Sequence, residues 1–484
     1  MPRLTRKDFD AVVIGSGPNG MAAAITLQRA GLSVLVLEGR GTIGGGTRSA
    51  ELTLPGYLHD VCSAVHPLLP SSPFFGELPL AKHGLELVYP EIAAAHPFDN
   101  GSAAILAGSL ETTARSLGED GATYLSLIKP LVERWPGILA DILGPLHIPQ
   151  KPAALLSFAL HALRSAKSVS GIFKTNEAKG LWGGMAAHAI QPLTNFATAA
   201  IALVLIVSGH RQGWPIIRGG SRQLSAALAS YFVSIGGKIQ TDFFVRSIDQ
   251  LPSAHALMFD LTPRQLMAIA GDRFSPLYRW QLQRFRYGAG VFKIDWALDG
   301  PTPFLAEACR KAGTVHLGNT FHEIMECEDM VWRGRHAEKP FVLFSQPTIL
   351  DSSRAPSGKH TAWAYCHVPA GSTVDMTERI ERQVERFAPG FRKRILDRHT
   401  FDAHQMELYN PNYIGGDING GVSDLGQIFM RPALRLSPYR TSAKGIYICS
   451  SSTPPGGGVH GMCGYHAART ALNDIFDLRI ENKS

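Results

Sequence analysis

The first residues placed to do chemistry are glycines. Gly15, Gly17 and Gly20 fall in the run Gly15-Ser16-Gly17-Pro18-Asn19-Gly20, and an acid, Glu38, closes the next apolar stretch. Gly15 permits a tight turn, Gly17 lets backbone approach a pyrophosphate, and Gly20 lets a helix pack closely on a strand. A helix starting behind them offers free N–H groups and partial positive charge to phosphate. Glu38 stands where a carboxylate accepts hydrogen bonds from a ribose 2′,3′-hydroxyl pair, which disfavours a 2′-phosphate and hence NADP. The elements needed to position these residues are legible. Phe9–Ile14 is an apolar, β-branched run suited to a parallel strand buried on both faces. Met21–Ala30 reads as a helix stopped by Gly31, and Ser33–Leu37 as a second strand. Strand, glycines, helix, strand and acid in that order are far more specific than the glycine pattern alone.

Two further segments have the same character. Arg218-Gly219-Gly220 precedes a helix to about Ile235, then Gly236-Gly237 and a strand pattern over Lys238–Val245. Near the C-terminus, Gly445–Cys449 reads as a strand, Ser450–Gly461 as a Gly/Pro loop and Met462–Phe476 as a helix. No second strand–GxGxxG–helix unit occurs and no close cysteine pair is present, so a two-dinucleotide disulfide reductase is not expected.

Beyond Glu38 the chain continues with Gly39, Arg40 and, four residues on, Gly44-Gly45. This ExRxxxGG arrangement resembles the second fingerprint of the large FAD-dependent family that includes amine oxidases, protoporphyrinogen oxidase and carotenoid desaturases. The resemblance implies FAD, held non-covalently, with Arg40, Gly44 and Gly45 along its pyrophosphate and flavin side. It also implies backbone near Val245 at the adenine end. The closing loop and helix, with Gly458, Val459, Gly461 and Met462, are implied to lie against the flavin pyrimidine. The residue types suit these roles: Arg is a fixed cation for phosphate, and a helix N-terminus stabilises the charge of reduced flavin. Family members often carry Arg directly after the glycine pair, whereas this chain has Gly46-Thr47-Arg48. Among the 18 histidines, His460 is expected to be catalytic or flavin-tuning because it sits in that closing loop; His66 and His367 come next.

Over nearly its whole length the chain is similar to the phytoene desaturase-like flavoproteins, and within them to the pyridine nucleotide-disulfide oxidoreductase domain-containing branch. The stretches that carry this are His59–Pro67, Arg286–Lys293 with Asp295–Gly300, Trp363–Pro369 and Pro455–Gly464. The chain departs from the carotenoid desaturases' closing signature at Ser450, Ser451, Pro454 and Gly457. The resemblance therefore implies fold, cofactor and an apolar substrate rather than a carotenoid.

Composition excludes several classes. The net charge of +7 is scattered rather than gathered into a patch, so no nucleic-acid partner is expected. The six cysteines show no metal spacing, so no metal is expected, and their sparseness fits a reducing compartment. With only Met1 to Asp8 before the first strand, neither a signal peptide nor a mitochondrial transit peptide is expected. Gly180–Gly209 is free of formal charge, but its continuous apolar part, Ala197–Val207, is too short to cross a bilayer. It reads as a core helix or as the wall of an apolar chamber.

The expected architecture is α/β: a Rossmann-like FAD-binding domain over 1–73, 215–300 and 423–484, and a discontinuous α+β substrate domain over 74–214 and 301–422. Within the latter, Ala153–Ser168 reads as one amphipathic helix. Leu156, Ala159, Leu160 and Leu163 share a face, and Lys151, Arg164, Lys167 and Lys174 surround it. A cytoplasmic protein touching membranes loosely is expected. The leading functional expectation is an FAD-dependent dehydrogenase or desaturase passing hydride from an apolar, isoprenoid or lipid-like compound to flavin. An amine-oxidase-like flavoenzyme and a non-catalytic FAD-containing regulatory protein are the alternatives. The onward electron acceptor, oxygen or a quinone, and the oligomeric state are left open.

Overall fold

The computed structural model describes residues 7–428 and 430–478. Met1–Arg6, most of the stretch preceding the first strand, lie outside the described residues. Two large sheets organise the chain. The first has five parallel strands in the order Ile446–Ile448, Ala254–Phe259, Phe9–Ile14, Val34–Leu37, Lys238–Gln240. Phe9–Ile14 is central because Ala11, Val12 and Val13 are apolar on both faces and fully buried. The glycine turn leads into the helix Pro18–Arg29, which starts three residues earlier than the sequence suggests. Pro18 takes the first helical position, where its missing N–H and fixed φ cost nothing.

That helix packs on the C-terminal helix Met462–Ala471. A Cβ at Gly464 would lie 1.7 Å from the Asn19 carbonyl oxygen, so only glycine allows this approach. The third fingerprint segment forms the helix Arg222–Ser234 and a strand of only Lys238–Gln240. Residues 241–245 leave the sheet edge as a loop that brings Val245 inward, 6 % exposed.

The second sheet has seven strands, in the order Ile395–Phe401, Gly290–Leu298, His360–Val368, Val342–Ser345, Ala312–Leu317, Ile92–Pro97, Ala103–Ala107. Its pairings are antiparallel except between Ala312–Leu317 and Ile92–Pro97. Gly290–Leu298, the end of the expected segment 215–300, pairs within this sheet. Strand alternation separates two faces. Phe292, Ile294, Trp296 and Leu298 join Ala362, Ala364 and Cys366 in a core closed by Ile380 and Val384 of the helix Thr377–Phe387. The opposite face carries Lys293, Asp295, Thr314, Trp363 and Tyr365, and it faces the interior between the sheets.

Helices from 110–212 cover that interior. Thr198–Gln212 is a core helix and a chamber wall at once: Leu203, Ile206 and Val207 are buried in packing, while Ile201, Val204 and Leu205 line the cavity. The segment Ala153–Ser168 is not one helix. Pro152–Ala162 ends at Leu163, and Ser165 caps a new short helix, Ala166–Ser170, by accepting the Ser168 N–H. Its apolar face is also turned outward. Ala154, Phe158 and Ala162 are buried, whereas Leu156, Leu160 and Leu163 are 61 %, 64 % and 47 % exposed. The segment packs through Ala154, Phe158 and Ala162, with Leu155 partly buried against the same core. Among the described residues, no helix is long and apolar enough to cross a membrane.

Candidate active site

One cavity of about 640 Å³ runs from the C-terminal edge of the parallel sheet to the inner face of the mixed sheet. Its first end lies at the switch point of the parallel sheet, where such folds bind ligands. Gly15, with φ +101°, turns the chain as the sequence requires. A Cβ on Gly20 would meet the Gly15 carbonyl oxygen at 2.1 Å, so Gly20 serves helix–strand packing and does not line the cavity. Gly17 does line it, in extended backbone (φ −63°, ψ 170°) that any residue can adopt. The space beside its Cα is claimed by Asp260, whose Oδ2 would sit 2.6 Å from a Cβ there.

Asp260 ends the strand Ala254–Phe259 and accepts the Gly20 N–H at 2.9 Å. Burial pushes its carboxyl up to about 7; the Gly20 N–H opposes this and nearby Glu38 adds to it. Asp260 carries no signal in the glycine pattern, because only the neighbouring strand brings it there.

Glu38 is 7 % exposed and fully engaged. Its Oε2 accepts from the Ser16 hydroxyl at 2.5 Å and the Ser16 N–H at 3.2 Å. Its Oε1 accepts from the Arg40 N–H and from Arg48 Nη2, both at 3.0 Å. Arg48 is therefore the cation beside the acid, buried under Tyr409 and pinned to the Thr42 carbonyl. The Arg40 guanidinium turns away to donate to the Leu408 and Tyr409 carbonyls, though Arg40 still lines the cavity. Gly45 lines it as expected. Gly44 does not: at φ +118° it reverses the chain, with its empty Cβ position 2.5 Å from Ser225 Oγ. Val245 lines the same end.

The closing loop differs in detail from expectation. Gly458 and Val459 line the cavity, but Gly461, Met462 and His460 do not. His460 is 1 % exposed, and its Nδ1 accepts the Met462 N–H at 3.0 Å, capping the C-terminal helix. Its carbonyl accepts from Ser72 Oγ, and burial pushes its imidazole down to about 4. His460 thus lies behind the cavity wall, where its ring caps the helix that the loop leads into. Gly461, at φ +69°, starts the helix. Buried Arg431, without a sequence signature, fixes the loop from the other side by donating to the Ser451 and Ser452 carbonyls.

His66 lines the cavity, bonded to Ser221 Oγ at 2.9 Å, with burial pushing it down to about 4. His367 does not line it; its Nδ1 pairs with buried Glu328 at 2.8 Å. Sequence reading singled out none of the residues His188, Trp214, Thr314, Leu343, Trp363 and Tyr365 of the far end, although His188 falls in the uncharged 180–209 stretch read there as a core helix or chamber wall. They come from distant segments, and only the fold collects them.

The first end fits FAD. Glycines open the turn, an acid sits at the strand end, and a cavity continues from Val245 past Gly17 and Gly45 to Gly458. Residues 13–75 match the model of an NAD(P)-binding Rossmann-like domain. The chain is 25% identical to pyridine nucleotide-disulfide oxidoreductase domain-containing protein 2 of Rattus norvegicus, over 98% of this chain and 95% of that protein. It is 22% identical to a limonene dehydrogenase polypeptide of Castellaniella defragrans, over 97% and 95% respectively. A solved triple mutant of putrescine oxidase shares the fold, with a TM-score of 0.64, 17% identity and coverage of 97% and 99%. Fold, cavity and relatives define a flavoprotein: the chain is an FAD-dependent oxidoreductase. It is similar to the phytoene desaturase-like enzymes, and to the branch that contains the rat protein.

Proposed function

We propose that the protein dehydrogenates or desaturates a large apolar compound. FAD, when bound, supplies the hydride acceptor. The residues of the first end would hold it: Gly15, Gly17, Gly45 and Gly458 give backbone access, Arg48 lines the cavity as a cation, Arg40 lines it with its guanidinium turned to the Leu408 and Tyr409 carbonyls, and Glu38 and Val245 bracket the nucleoside end. The observation that carries the reading is the wall of the second end. Ile201, Val204, Leu205, Trp214 and Leu343 surround substrate with apolar surface and exclude water. Limonene dehydrogenase, whose name specifies a hydrocarbon substrate, supports the same direction. The amine-oxidase reading finds less support. Among the described residues, the only carboxylates lining the cavity are Glu38 and Asp260, both at the dinucleotide end. Anaerobic mixing of the FAD-loaded protein with apolar terpenoids, polyenes, lipids and amines tests this. Bleaching of the flavin by an apolar compound is expected, with colour restored by oxygen or a quinone. Bleaching by amines alone would replace this reading with amine oxidation.

We further infer a cytoplasmic enzyme that meets its substrate at membranes. The exposed Leu156, Leu160 and Leu163 continue into Phe196, 67 % exposed, since the Ala197 N–H donates to the Leu163 carbonyl. Lys151, Lys167 and Lys174 are exposed close by in the chain. The helix Pro152–Ala162 packs on Thr198–Gln212, whose other side walls the cavity. Each Lys or Arg near an anionic surface contributes about 1 kcal/mol, so binding is reversible. Sedimentation with anionic vesicles is expected at low salt and is lost at high salt. Leu156→Ser with Leu160→Ser should abolish it. Equal binding of that variant, or equal partition into neutral vesicles, would contradict a docking face of this kind.

A further inference from the structure

We propose that the sheet end of the cavity is a subsite for a neutral, oxygen-bearing head group, a hydroxyl or a carbonyl, on an otherwise apolar substrate. This rests on the flavoenzyme reading above and deepens it.

The apolar wall is interrupted by a polar group of residues from two strands and one helix end. Tyr365 lines the cavity, and its hydroxyl has no hydrogen-bond partner among the described residues. Unlike the buried unpartnered atoms, that hydroxyl keeps access to the cavity. His188 lines the same end, and its Nε2 lies 3.0 Å from Nε2 of His316. Only one of those two nitrogens carries the shared proton. If His188 donates it, His188 Nδ1 is an acceptor for a hydroxyl. If His316 donates it, His188 Nδ1 bears the hydrogen and suits a carbonyl. One pair of imidazoles therefore serves both members of an alcohol–carbonyl couple by exchanging tautomers. Two further polar atoms on lining side chains, Trp363 Nε1 and Thr314 Oγ1, are buried without a partner among the described residues.

A pure hydrocarbon filling this end would displace water from the Tyr365 hydroxyl and His188 while returning no hydrogen bond, which weakens binding. A cation fits no better. Trp363 and Tyr365 are stacked, with planes 9° apart and centroids separated by 5.8 Å. Behind them the buried Lys293 ammonium sits 5.7 Å from the Trp363 ring, bonded to Asp295. The aromatic face that could receive an ammonium group is thus already backed by one, and among the described residues no carboxylate lines this end. Burial, with His367 adding to it, pushes His188 down to about 3, and burial also holds His316 well below its ordinary range. Both imidazoles are neutral at pH 7, so an anionic head gains no partner here either.

The test uses the FAD-loaded protein and four probes of one shape: ethylbenzene, 1-phenylethanol, acetophenone and 1-phenylethylamine, read by perturbation of the flavin absorbance and by equilibrium dialysis. Acetophenone and 1-phenylethanol are expected to bind tighter than ethylbenzene despite their greater affinity for water, and the amine weakest. Tyr365→Phe deletes only an unpartnered hydroxyl and should weaken both oxygenated probes about tenfold, the equivalent of one hydrogen bond, while leaving ethylbenzene within about twofold. His188→Leu should act in the same direction. Preference for ethylbenzene or the amine, no binding of any probe, or unchanged affinities in Tyr365→Phe would overturn the subsite while leaving the flavoenzyme intact. A folded protein that takes up no FAD would overturn both.

Discussion

Gly17→Val leaves a folded chain that has lost most of its FAD. The backbone at Gly17 tolerates a β-branched residue, so the loss is one of space. The new side chain meets the Asp260 carboxyl, whose Oδ2 lies 2.6 Å from a Cβ at this position. Overpacking here costs about 1–3 kcal/mol; where the strain is relieved by pushing Asp260 and the turn into the FAD space and reappears on binding, it amounts to about 5- to 150-fold in FAD affinity. Only Asp260 atoms lie within 4 Å of a Cβ at Gly17. Gly17→Ala should therefore bind FAD weakly, and Gly17→Ala combined with Asp260→Ala should recover part of the affinity. Titration of FAD into the apoproteins measures each step. Full FAD content in Gly17→Val, or no recovery in the double variant, would remove Asp260 from this account.

Arg354→Met should cause the largest loss of stability. Arg354 is 0 % exposed and joins Asp60, Asp351 and the Ile217 carbonyl, three segments brought together beneath the cavity. Breaking a buried ion pair from one side costs about 3–5 kcal/mol. Burial alone would push the Asp60 carboxyl up, but Arg354, with Ser49 and the Ser221 N–H, holds it below the ordinary aspartate range. A depressed carboxyl contributes stability that is present above its ordinary range and disappears as pH falls through the lowered value. In Arg354→Met that acid limb should move to higher pH, and adding Asp60→Asn should restore part of the loss. Denaturant midpoints across pH 3–8 read both effects (roughly the carboxylate range and above). An unchanged midpoint at neutral pH would show that the cluster is not a structural tie.

The dinucleotide end is legible in the sequence because its requirements are local. A turn needs Gly15 at positive φ, a close helix contact needs Gly20, and the strand before them needs uninterrupted apolar residues. Glu38 can be placed from the end of a strand, but its partner cannot. Arg48 rather than Arg40 reaches it with its guanidinium, because the left-handed turn at Gly44 folds the chain back. The direction of His460 is hidden for a related reason. Loop membership is visible in sequence, but the direction of a side chain is set by what it caps, here the Met462 N–H. The amphipathic pattern of 153–168 marks an apolar face without saying which way it turns. The packing takes Ala154, Phe158 and Ala162 and leaves Leu156, Leu160 and Leu163 outside. Of the substrate end, the sequence shows one wall, the uncharged stretch that contains Ile201, Val204 and Leu205, but not what stands opposite it. Trp363 and Tyr365 alternate along one strand, but the chamber exists only because a helix from 198–212 and a strand from 312–317 are placed opposite them.

The central claim is that this chain holds FAD between the glycine turn and the closing loop, and the flavin content of the purified protein tests it most directly. Acid precipitation should release a yellow supernatant whose mass is that of FAD, in near-stoichiometric amount, because no covalent link is expected. A folded, colourless chain that takes up no added FAD, or one that releases FMN or NAD instead, would contradict the account.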